Sequence, residues 1–119
     1  MKILIVDDSM AMRLIVQRAL REAGFGDHDL RQAEDGAQAL EVVLEEEPDV
    51  VLSDWNMPNM NGPELLQALN NEGCDPVFGF VTTEGTPAMR EKATKLGAKF
   101  LIAKPFSAKD FEVALGHML

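Results

Sequence analysis

The chain has 119 residues and a formal net charge of −9, with 46% hydrophobic and 26% charged residues, the makeup of one globular domain that can bury its own core. The acidic excess disfavours nucleic acid and anionic membranes as partners, no apolar stretch approaches a membrane span, and Met1-Lys2 leads into a strand with no room for a signal peptide. A cytoplasmic location is expected, and the lone Cys74, in a polar loop and unable to form an internal disulfide, fits a reducing compartment.

Short apolar runs alternate with helical stripes, the pattern of parallel strands joined by helices. The first strand spans Ile3 to Val6. The helix after it takes Ser9 as N-cap, turns Met12, Ile15, Val16, Ala19 and Ala23 inward, and ends at Gly24. A second strand, Asp29 to Ala33, carries the faintest pattern, and a helix from Gly36 to Glu46 follows with Ala37, Leu40, Val43 and Leu44 on its inner face. Pro48-Asp49 opens a third strand, Val50 to Ser53, and the turn-rich loop Asn56 to Gly62 leads into a short helix bearing Leu65, Leu66 and Leu69. The fourth strand is Val77 to Val81; Thr86-Pro87 then supplies the cap and first residue of a helix that stops at Gly97. The fifth strand, Phe100 to Ala103, runs into Lys104-Pro105, and a last helix capped by Ser107 carries Phe111, Ala114, Leu115 and Met118 to the end. No internal repeat, low-complexity tract or linker divides this single domain, residues 1–119.

Apolar runs of this kind read as strands buried on both faces of a parallel sheet, and such sheets bind ligands beyond the carboxyl ends of their strands. At or just past four of those ends stand Asp7-Asp8, Ser53-Asp54, Thr82 and Lys104. Asp7 and Asp8 are consecutive, so a turn is needed if both are to face one cleft. With Asp54 they concentrate negative charge that calls for a cation, and Mg²⁺, a hard ion that takes oxygen ligands and keeps several waters, answers that need. Each residue alone has a plainer reading: acidic caps, a turn-initiating Asp54, a strand-end Thr82, a surface Lys104. Together they describe phosphoryl chemistry, with Asp54 as nucleophile and Thr82 and Lys104 as partners for phosphoryl oxygens.

The run Ile3-Leu4-Ile5-Val6-Asp7-Asp8-Ser9, the segment Pro48 to Pro58 with Met60 and Gly62, Thr82, and Lys104-Pro105-Phe106 together resemble the receiver domain of two-component response regulators, in order and over the whole chain. Asp54-Trp55-Asn56-Met57-Pro58 is similar in particular to chemotaxis members of that family. The resemblance implies an α/β, doubly wound (βα)5 flavodoxin-like fold: a five-stranded parallel sheet in order 2-1-3-4-5 with helices on both faces. It implies that Asp54 accepts a phosphoryl group from a histidine kinase. Mg²⁺ would be held by Asp8 and Asp54, with Asp7 acting through water and Asn56 through its backbone carbonyl, while Thr82 and Lys104 bind the phosphoryl oxygens. It further implies a cis Lys104-Pro105 bond, hydrolysis tuned by Asn56 and Glu84, and a downstream target protein on the face made by the fourth helix, fifth strand and fifth helix.

One departure stands out. Where the chemotaxis members carry a tyrosine three residues before the lysine, this chain has Leu101, and it contains no Tyr. Phe100 is no substitute, because neighbouring strand residues point to opposite faces. Two rival classes weigh less. A degenerate receiver serving as a binding module, or a phosphate sink, competes with the leading reading, but every acidic, hydroxyl and basic position of the pattern is filled. An aspartate-nucleophile phosphatase would want Asp-x-Asp where the first strand ends in Asp7-Asp8, and a dinucleotide site would want Gly-x-Gly-x-x-Gly there.

Overall fold

A computed structural model of the chain describes residues 1–118; Leu119, where the last helix was expected to finish, lies outside the described residues. Strands β1 (Lys2–Val6), β2 (Asp29–Ala33), β3 (Val50–Ser53), β4 (Val77–Thr82) and β5 (Phe100–Ala103) pair in parallel in the order β2-β1-β3-β4-β5. Between and after them run α1 (Met10–Leu20), α2 (Gly36–Glu46), α3 (Gly62–Asn71), α4 (Pro87–Leu96) and α5 (Ala108–Leu115), with a short 3₁₀ turn at Gly116–Met118. This is the doubly wound order that the family resemblance implied.

Side chains alternate across the strands, so the sheet feeds two cores. Leu4, Val6, Val51, Phe78, Phe80 and Leu101 pack with α2, α3 and α4 on one face. Ile3, Ile5, Val50, Leu52, Val81 and Ile102 pack with α1 and α5 on the other. Each fully buried side chain of this size contributes about 1.5–3 kcal/mol, which is what holds β1 and β3 rigid in the centre.

Register places the strand ends. Val6 pairs with Ser53, so Asp7 and Asp54 leave the sheet side by side; Thr82 pairs with Ala103, so Lys104 emerges next to Thr82. Helix starts follow the expected chemistry. Ser9 Oγ accepts from Met12 N at 3.2 Å, Thr86 Oγ1 accepts from Met89 N at 3.2 Å ahead of Pro87, and Ser107 forms a capping box with Asp110. Gly97 ends α4 with φ 105, a left-handed conformation that suits glycine.

Two inner faces differ from the sequence expectation. Ile15 is 51% and Leu44 50% exposed, and Ala37 is exposed as well. The expected Val16, Ala19 and Val43 do bury, joined by Arg13 and Leu20 on α1 and by Gly36 and Ala39 on α2. Both helices carry more apolar residues than one face accommodates, so periodicity alone leaves the rotation open. The turn after α1 decides the first case: Arg21–Phe25 forms a wide π-type turn in which Gly24 takes φ 101 and Phe25 becomes fully buried, which draws Leu20 inward with it. Among the described residues, no helix is long and apolar enough to cross a membrane.

Candidate functional site

At the carboxyl edge of the sheet, β1 gives way to a turn. Asp7 N donates to Ala33 O at 3.2 Å, continuing the ladder, while its Oδ1 accepts from Ser9 N at 2.9 Å. Beside it, Asp54 N donates to Val6 O at 2.9 Å, its Oδ1 accepts from Trp55 N at 2.7 Å, and Ser53 Oγ donates to its carbonyl at 2.8 Å. Lys104 follows β5 through N–H donation to Thr82 O at 2.7 Å, and the Lys104–Pro105 bond is cis. Its Nζ lies 3.2 Å from Asp7 Oδ2 and 3.7 Å from Asp54 Oδ2.

One carboxylate oxygen from each of Asp7, Asp8 and Asp54 lies within 4.8 Å of the others. Asp7 forms the buried floor, Asp54 the half-buried wall, and Asp8 the exposed rim. The turn after β1 therefore does what consecutive acids require and brings both to one cleft. Thr82, buried at the end of β4, stands next to the lysine that enters it.

Asn56 lies further out. It is exposed, and with Trp55, Glu84, Ala88, Met89 and Lys92 it lines a shallow cleft of about 380 Å³ against α4. Trp55 packs on Phe80 at 4.6 Å between ring centroids and carries Lys92 Nζ 5.8 Å above its ring. The loop that holds Asn56 is clasped to the start of α2: Asn59, at φ 66, donates to Asp35 Oδ2 at 2.7 Å, and Gly36 N donates to Met60 O at 3.0 Å. A Cβ at Gly62 would collide with the Asp54 carbonyl and the Phe80 ring, so the loop closes against Asp54 only with glycine there. Sequence reading missed the clasp, and the cap of α3 with it, although Asn61-x-x-Glu64 is a capping box in plain sight.

Burial pushes the Asp54 carboxyl above the ordinary value of 3.8; the Lys104 ammonium opposes that rise, the Asp7 charge adds to it, and the Trp55 N–H lowers it again. Three carboxylates against one ammonium leave the ionised cleft with a net charge of −2. A hard divalent cation neutralises that charge and takes the oxygen ligands on offer, so the donor set fits Mg²⁺.

A match to the response regulator receiver domain covers residues 3–115. The chain is 38% identical over 122 residues to a chemotaxis protein CheY homolog of Campylobacter jejuni, an alignment that spans 100% of this chain and 92% of that protein. It is 36% identical over 116 residues to the probable chemotaxis protein CheY of Rhizobium etli, spanning 96% of this chain and 88% of that one. Among solved structures, the chemotaxis response regulator CheY4 of Vibrio cholerae superposes with a TM-score of 0.85 at 32% identity, covering 99% of this chain and 98% of the other. With likeness at this level running through sequence, strand order and nearly the full length, the chain belongs to the response regulator receiver domains of two-component signalling.

Proposed function

We propose that this protein is a phosphorylation-driven switch that accepts a phosphoryl group on Asp54 from a histidine kinase and passes the signal to a target protein, in chemotaxis or a related relay. The observation that carries the reading is the meeting of Asp54 with Asp7, Asp8 and the Lys104 ammonium in one strand-end cleft. An Asp54 carboxylate oxygen attacks the phosphorus in line, a P–O bond forms, the P–N bond to the kinase histidine breaks, and its electron pair returns to the imidazole. Asp8 and Asp54 would hold Mg²⁺ through their carboxylates, Asp7 through water and Asn56 through its backbone carbonyl. When bound, the metal offsets the charge of the carboxylates and of the entering phosphoryl group.

The chain's own groups do the rest. Lys104, held by Asp7 until the phosphoryl group arrives, pairs with one of its oxygens, and the Thr82 hydroxyl donates to another. Both residues sit where β4 and β5 end, so drawing them toward the phosphoryl group pulls on the face made by α4, β5 and α5. With Leu101 buried in the core beneath α4, the output on that face works by apolar repacking and loop movement rather than by an exposed aromatic ring. The protein is a signalling acceptor that turns over only its own phosphoryl group.

Trp55, bonded through its N–H to the acceptor carboxylate, supplies the readout. Mg²⁺ is expected to change its emission saturably, acetyl phosphate with Mg²⁺ to change it further, and Asp8→Asn to move the metal titration to higher concentration. A titration curve unaltered by Asp8→Asn would place the metal elsewhere.

A further inference from the structure

We infer that Arg13 is a positioning residue for the acidic cleft: its guanidinium holds the peptide joining Asp7 to Asp8, and thereby sets the cleft's affinity for a divalent cation. The inference rests on the reading of that cleft as a metal site given above.

Arg13 sits on the inner stripe of α1 and is only 7% exposed. Burying a guanidinium is costly unless its charge is paired, yet among the described residues Arg13 makes no ion pair with a carboxylate. A leucine would serve the core better. What the guanidinium does instead is donate from Nη1 to the Asp7 carbonyl at 2.7 Å and from Nε to Gln32 Oε1 at 3.0 Å, and Gln32 in turn donates to Gln17 Oε1 at 3.3 Å.

The carbonyl it holds is the critical one. Asp7 N–H still belongs to the β1–β2 ladder, but its C=O lies past the last ladder bond and receives no backbone N–H. In a continued strand Asp7 and Asp8 would point to opposite faces. The peptide between them is planar, so fixing its carbonyl direction fixes where the Asp8 Cα departs. With Ser9 N on Oδ1 and Lys104 on Oδ2, every polar group of Asp7 then has a dedicated partner, and the one on the Asp7–Asp8 peptide is Arg13.

Charge alone would act in the opposite direction. Arg13 is a permanent cation bonded to the backbone of a cleft carboxylate residue, so as a bare charge it repels a metal, and its removal would tighten binding. As a positioning residue its removal loosens the ligands and weakens binding. The sign of the change therefore decides. Mg²⁺ alone, titrated against Trp55 emission in the full chain, is expected to bind Arg13→Met about 10-fold more weakly than the wild type. Arg13→Lys, which keeps the charge but reaches only one of the two acceptors, should fall between. Gln32→Leu, at an exposed position, should lose affinity in the same direction by less. In the metal-free protein the Asp7 carbonyl carbon should shift upfield in Arg13→Met and, by less, in Gln32→Leu. Binding by folded Arg13→Met as tight as wild type, or tighter, would overturn the inference; if that variant does not fold, wild-type affinity in both Arg13→Lys and Gln32→Leu would do so. Should the wild type itself show no saturable response, or one indifferent to Asp8→Asn, the metal site fails and the inference fails with it; a saturable wild-type response matched by the Arg13 variants removes the inference alone.

Discussion

Asp54 is held in a form that disfavours its own charge. Burial and the neighbouring Asp7 raise its carboxyl against the opposing Lys104, so folding and ionisation of this group work against each other. The folded protein binds the Asp54 proton more tightly than the unfolded chain does, so stability from this group is present at acid pH and lost as pH rises from the ordinary 3.8 through the raised value. Asp54→Asn is therefore expected to stabilise the metal-free protein at neutral pH by on the order of 1 kcal/mol, read as a higher denaturant midpoint, with the advantage shrinking as pH falls through that window. A lower midpoint at neutral pH would show that Lys104 more than compensates. Asp35 is the opposite case: the Gln38 N–H and then the Asn59 amide hold its carboxyl below the usual range, which ties the loop bearing Asn56 to α2 at neutral pH.

At the scale of elements, one polar side chain of α4 reaches both β5 and the loop after β4. Arg90 donates from Nη1 to Leu101 O at 3.0 Å and from Nε to Gly85 O at 3.2 Å, spanning the loop after β4 and the outer edge of β5. Any pull on Thr82 reaches this bridge within three residues. Beryllofluoride, which stands in for the phosphoryl group, is expected to shift the amides of Gly85, Arg90 and Leu101 in the wild type, and Arg90→Ala to diminish the shift at Leu101. Shifts confined to Asp7, Asp8, Asp54 and their immediate neighbours would leave the switch without a route to this face. How far the elements were legible depended on how much one local rule decided. Four of the strands and the caps Ser9, Thr86 and Ser107 were readable because apolar runs and hydroxyl caps carry their own signal, while β2, Asp29 to Ala33, has no such run and was the faintest of the five. The rotation of α1 and α2 was not, since Ile15 and Leu44 are as apolar as the residues that bury, and only the turn at Gly24 and the packing of Phe25 separate them. Arg13 escaped for a related reason: an arginine in a helix reads as solvated, and its place three residues before buried Val16 was the one hint that it faces inward. Asp7, Asp8, Asp54, Thr82 and Lys104 were singled out from their positions at strand ends, and the fold brings them to one edge, whereas the Asp35–Asn59 clasp joins residues 24 apart with no pattern between them.

Over the whole molecule, two cores on opposite faces of one parallel sheet make a stiff platform, and everything chemical stands on its carboxyl edge. Such a platform suits a switch. The central strands fix Asp7 and Asp54 with fully buried neighbours, while Lys104 follows the edge strand β5, whose end residues Phe100 and Ala103 are only partly buried. The net charge of −9 also favours a cation at that edge over an anionic ligand without one. The most direct test is intact-mass analysis of the full chain after incubation with acetyl phosphate. One added phosphoryl group is expected in the presence of Mg²⁺, and none after chelation or in Asp54→Asn. Equal labelling of Asp54→Asn would contradict the account, because the carboxylate at the end of β3 would then not be the acceptor.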